Sequence, residues 1–128
     1  MRAMVVDDSK AMRTILKRVL HECGYDDVIE IPDAQSALDT IATLETADLP
    51  QVALFDDDLR GGESIDLVRA VRDRDDDHHV AVVVLTAAAR EGAGGAVRTT
   101  GADDCVAKPF TRAALVHTLE QVSARRDF

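Results

Sequence analysis

The chain has 128 residues, 46% of them hydrophobic and 30% charged, and a formal net charge of −9. That length suits one domain with a core of its own, and the composition is that of a globular protein. The acidic balance opposes binding to nucleic acid phosphates, and no apolar run approaches the ~20 residues that a membrane span needs.

Short apolar runs alternate with helical patterns along the chain. Ala3–Val6 reads as a first strand. A helical stripe follows, with Met12, Ile15, Leu16, Val19, Leu20 and Cys23 on one face and Gly24 as its stop. Val28–Ile31 reads as a second strand, and Asp33 as the N-cap of a helix carrying Leu38, Ile41 and Leu44. Val52–Phe55 is a third strand, followed by a helix bearing Ile65, Val68 and Val71. Val80–Leu85 is nearly all apolar, as a central parallel strand should be. Residues 88–100 form a weak helix interrupted by Gly92, Gly94 and Gly95. Cys105–Ala107 is a fifth strand, and Thr111 caps a last helix with Leu115, Leu119 and Val122.

Five strands alternating with five helices predict an α/β fold, a parallel sheet covered on both faces. In such sheets ligands bind beyond the carboxyl ends of the strands. Here the first strand ends at Asp7 and Asp8, the third at Asp56, the fourth at Thr86 and the fifth at Lys108. Four of five strands thus aim a carboxylate, a hydroxyl or an ammonium group at one edge. Two carboxylates about 5 Å apart repel by roughly 3 kcal/mol at an effective dielectric of 20, a cost that a bound cation removes. Carboxylates without a nearby His or Cys suit a hard cation, and Mg²⁺ is the one expected. A carboxylate is also a competent nucleophile toward phosphorus, where positioning and charge neutralisation matter most.

The motifs "VVDDSKAMR", "ALFDDDL", "VVVLTA" and "GADDCVAKPF", in this order, resemble the receiver domain of two-component response regulators, the CheY-like type. The resemblance runs from about Arg2 to Ala124. It implies a flavodoxin-like (βα)5 fold with strand order 2-1-3-4-5. It also implies that Asp56 takes a phosphoryl group from the histidine of a sensor kinase or a histidine phosphotransfer protein. By the same resemblance Asp8, the Asp56 carboxylate and the backbone carbonyl of Asp58 bind Mg²⁺ directly, and Asp7 acts mostly through water. Thr86 bonds a phosphoryl oxygen, Lys108 pairs with the phosphoryl group, and the Lys108–Pro109 bond is cis. The expected output is an altered contact with a downstream protein, since residues 1–128 read as a single receiver domain with no effector domain. Neither nucleic acid nor membrane is an expected partner. The opening "MRAMVVDDS" has no signal-peptide core and the two cysteines form no CxxC motif, so a cytoplasmic protein with reduced thiols is expected.

Several positions depart from the family pattern. Arg60 stands where Pro is usual, Glu63-Ser64 where Asp-Gly is usual, and Cys105 where the family carries a switching Tyr or Phe. Asp57 reads as a solvated loop residue and Cys105 as a small core residue. The run "DRDDDHH", residues 73–79, reads as a solvated loop, because adjacent histidines such as His78 and His79 do not point together on regular structure. Three alternatives stand beside the receiver. One is a Mg²⁺-dependent phosphohydrolase of the haloacid dehalogenase type, which also follows a strand with Asp-x-Asp. Those enzymes run nucleophile, hydroxyl, lysine and then acid pair, whereas here the acid pair comes first. The second is a receiver piece of a longer regulator. The third is a binding-only pseudo-receiver, which the full set of site residues disfavours.

Overall fold

The computed structural model describes residues 1–59, 62–75, 79–86 and 101–126. In chain order these form β1 (Arg2–Val6), α1 (Lys10–Glu22), β2 (Asp27–Ile31), α2 (Ala34–Thr43), β3 (Val52–Asp56), β4 (Asp58–Leu59), β5 (Gly62–Glu63), α3 (Ser64–Arg74), β6 (Ala81–Thr86), β7 (Asp104–Ala107) and α4 (Arg112–Arg126). Strands β2-β1-β3-β6-β7 make one sheet in that order, and every pairing in it is parallel. This is the expected 2-1-3-4-5 order. The expected helix over residues 88–100, with Gly92, Gly94 and Gly95, lies outside the described residues, as do Arg60 and His78.

Period-two alternation divides the core between the two faces of the sheet. Met4, Val6, Ala53, Phe55, Val82 and Val84 pack toward α2 and α3, with Ala37, Ile41, Leu67, Val68 and Val71. Ala3, Val5, Val52, Leu54, Val83 and Leu85 pack toward α1 and α4, with Leu16, Val19, Leu20, Leu115, Leu119 and Val122. All five residues of β3 and all six of β6 are buried, as strands covered on both faces must be.

The caps follow from local chemistry. Ser9 is the N-cap of α1, its Oγ accepting from Met12 N at 3.2 Å. Beyond α1, Gly24 takes φ +97°, a left-handed conformation that a side chain would strain. Asp33 caps α2 through Ser36 N at 2.7 Å, and Thr111 Oγ1 accepts from Ala114 N at 3.0 Å at the start of α4.

Three apolar expectations need correction. Ile15 is 50% exposed, because Leu16, Val19 and Leu20 already fill the buried stripe of α1. Leu44 is not on a helical face but is the extended C-cap of α2, with ψ 139°. In α3 the buried stripe is Ser64, Leu67, Val68 and Val71, and Ile65 is only half-buried.

The expected solvated loop over 73–79 is corrected where it is described: Asp73 and Arg74 belong to α3, Asp75 turns inward, and residues 76–78 lie outside the described residues. Asp75 is 6% exposed, and its carboxylate accepts from His79 N at 2.9 Å and Val80 N at 2.7 Å. Arg72 meets it from α3 at 3.3 Å, and also donates to Val80 O, Gly101 O and Asp103 Oδ2. Asp103 in turn accepts from Val82 N at 2.7 Å. One guanidinium therefore ties α3 to the start of β6 and to the turn before β7. Cys105 is half-buried on β7 rather than enclosed, while its neighbour Val106 is the core residue.

Candidate functional site

The residues at the carboxyl ends of β1, β3 and β7 converge. Asp7, Asp8 and Asp56 offer carboxylate oxygens that all lie within 4.8 Å of one another. Among the described residues they are the only such group of three acidic, His or Cys side chains. Asp7 and Asp56 are 2% and 3% exposed, whereas Asp8 is open to solvent. Parallel pairing explains the meeting, since Val6 and Phe55 are register partners and Asp7 and Asp56 directly follow them.

Lys108 completes the cluster from β7. Its Nζ lies 2.6 Å from Asp56 Oδ1, a charge-assisted bond between partly buried groups. The next peptide, Lys108–Pro109, is cis, as the resemblance implied. Thr86 closes β6, is 5% exposed, and accepts at its backbone oxygen from Lys108 N at 2.7 Å. Asp56 is register partner to Leu85, so Thr86 stands one residue beyond it on the neighbouring strand.

Asp7 shows the electrostatic character of the cluster. Its Oδ1 accepts from Ser9 N at 2.8 Å, while its buried Oδ2 has no hydrogen-bond partner. Burial raises the Asp7 carboxyl above its ordinary value of 3.8. The Ser9 N–H opposes that rise, the Asp56 charge adds to it, Lys108 opposes it and Asp8 adds to it. A buried acceptor left unpaired beside two further carboxylates is costly, and a cation reaching it through a water would offset that cost. The all-oxygen donor set suits a hard divalent ion.

The structure brings together Asp7, Asp8, Asp56 and Lys108, and sets Thr86 at the adjoining strand end. The backbone of Asp58 belongs to β4, which pairs antiparallel with β5 in the register Asp58–Glu63 and Leu59–Gly62. Two supporting residues were not anticipated. Arg13 Nη1 donates to Asp7 O at 2.7 Å and fixes the backbone of the cluster. Ser64 Oγ donates to Asp57 Oδ1 at 2.8 Å, so Asp57 is exposed yet partnered. The departure from Gly at position 64 was the available signal for the second.

The family model of the response regulator receiver domain matches residues 3–120. Chemotaxis protein CheY1 of Helicobacter pylori is 30% identical over 130 residues, covering 99% of this chain and 100% of that protein. Chemotaxis protein CheY-3 of Vibrio cholerae is 30% identical over 125 residues, covering 98% of this chain and 93% of that protein. The fold is shared with a CheY-like response regulator receiver domain protein from Methanospirillum hungatei, with a TM-score of 0.82 at 22% identity, over 98% of this chain and 95% of that one. Sequence match and strand order agree across nearly the whole length, and the chain belongs to the response regulator receiver family.

Proposed function

We propose that this receiver is a phosphoacceptor switch, in which Asp56 takes a phosphoryl group from the phosphohistidine of a sensor kinase or histidine phosphotransfer protein. The observation that carries the reading is a buried Asp56 held 2.6 Å from Lys108 Nζ and within 4.8 Å of Asp7 and Asp8. In the transfer an Asp56 oxygen attacks phosphorus with its lone pair. The phosphorus–nitrogen bond breaks, and the donor imidazole leaves with that electron pair. Lys108 neutralises negative charge beside Asp56, and the Thr86 hydroxyl donates to an oxygen of the transferred group.

The orphaned Oδ2 of Asp7 and the all-oxygen donor set fit Mg²⁺. Asp8, Asp56 and the backbone carbonyl of Asp58 would hold it directly, with Asp7 acting mostly through water. When bound, the ion supplies positive charge to the equatorial oxygens of the group in flight. Hydrolysis of the acyl phosphate by water resets the switch, so the protein is not an enzyme with a separate substrate. In this reading the chain is a single receiver domain that works in the cytoplasm, and its output is a changed contact with a downstream protein. No helix among the described residues is long and apolar enough to cross a membrane.

Incubation with Mg²⁺ and a small phosphodonor such as acetyl phosphate tests the reading by intact mass. Wild type should gain the mass of one phosphoryl group and Asp56→Asn should not. Equal labelling of the two proteins, or none of either, would reject it.

A further inference from the structure

The residue after the phosphoacceptor does not join the carboxylate cluster. Asp57 N donates to Leu85 O at 2.8 Å, which pins its backbone to β6. Its carboxylate instead reaches α3, where Ser64 Oγ donates to Oδ1 at 2.8 Å. Ser64 is the first residue of α3 and is 5% exposed. Between these two residues lie the paired strands β4 and β5, of two residues each. A strand pair that short has little stability of its own. Leu59 anchors it in the core on one side, and the Asp57–Ser64 bond ties its two ends together. A glycine at position 64, the usual family residue, has no hydroxyl and cannot form this bond.

We propose that Ser64 and Asp57 are positioning residues for the metal site: their bond holds the paired strands β4 and β5, and with them the Asp58 backbone carbonyl that would serve as a ligand. The inference rests on the reading above that this carbonyl is a Mg²⁺ ligand. Without the bond the two strands would spend part of their time in arrangements that withdraw the carbonyl. The apparent dissociation constant then rises in inverse proportion to the competent fraction.

Calorimetric titration of the full chain with Mg²⁺ tests this in wild type, Ser64→Ala, Asp57→Ala and the double variant. Ser64→Ala should raise the dissociation constant about three- to tenfold. The same change made in Asp57→Ala should have no further effect, because the bond is already gone. Ser64→Thr, which keeps the hydroxyl, should restore binding toward wild type. In phosphorylation by acetyl phosphate, Ser64→Ala should need more Mg²⁺ for half-maximal rate yet reach the wild-type maximum. That split separates positioning from general loss of structure. Wild-type affinity in Ser64→Ala, or an equal loss in both backgrounds, would overturn the inference and leave the phosphoacceptor reading standing. A wild type that binds no Mg²⁺ would overturn both.

Discussion

At the scale of single residues, the cluster is organised around a cost. Asp7 is a buried carboxylate with one unpaired oxygen and two acidic neighbours, and its folded-state pKa is raised above 3.8. A raised carboxyl pKa means that the folded state holds the proton more tightly than the unfolded chain does. Ionised Asp7 therefore costs stability at neutral pH, and the cost fades as pH falls through the folded pKa toward 3.8. Asp7→Asn should accordingly be more stable than wild type by about 1 kcal/mol at pH 7 without metal. That advantage should shrink steadily as the pH approaches 4, a window set by the ordinary value and the direction of the shift. Urea midpoints of the two proteins across this range decide it, and a gap independent of pH would contradict the account. The placement of Asp7, Asp8, Asp56, Thr86 and Lys108 at one edge of the sheet was readable in advance because each ends or follows an apolar strand. Ser64 and Arg13 were not, since each acts through a contact with a residue whose position only the folded chain defines.

At the scale of elements, the long strands and helices could be read and the short ones could not. β1, β3 and β6 declare themselves by apolar runs, α1 by its periodic stripe, and α2 by its stripe with Asp33 at its start. β4 and β5 are too short to show any period. Leu44 satisfied the helical stripe of α2, yet the helix ends before it with an extended cap. Asp75 was misread for a related reason, because composition gives no hint that it turns inward. It does so because Val80 N, His79 N and Arg72 need its oxygens. Arg72 in turn joins α3 to Gly101 and Asp103. Arg72→Met should leave Asp75 and Asp103 without their cation and lower stability by about 3 kcal/mol. It should not abolish Mg²⁺ binding, since the clamp sits at the opposite end of the sheet from the carboxylate cluster. Chemical denaturation and Mg²⁺ titration of this one variant test both halves of the statement.

At the scale of the whole molecule, the parallel sheet gathers negative charge at one edge of a chain that already carries a net charge of −9. A divalent ion binding the folded state alone stabilises it by mass action, so the thermal midpoint of wild type should climb with Mg²⁺ concentration. Asp8→Asn should flatten that dependence, and a wild type indifferent to Mg²⁺ would remove the metal from the account. The covered parallel sheet was legible from the alternation of strands and helices, whereas its strand order followed only from the resemblance to the receiver family. The central claim is narrower: one carboxylate, Asp56, carries the phosphoryl group. It is tested most directly by locating the modification. The protein is phosphorylated with acetyl phosphate and Mg²⁺, the acyl phosphate is trapped by borohydride reduction, and the digested peptides are sequenced by mass spectrometry. The account predicts reduction of position 56 to homoserine, with Asp57 and Asp58 intact. Reduced product at Asp57, Asp58, Asp7 or Asp8 in place of position 56 would contradict it.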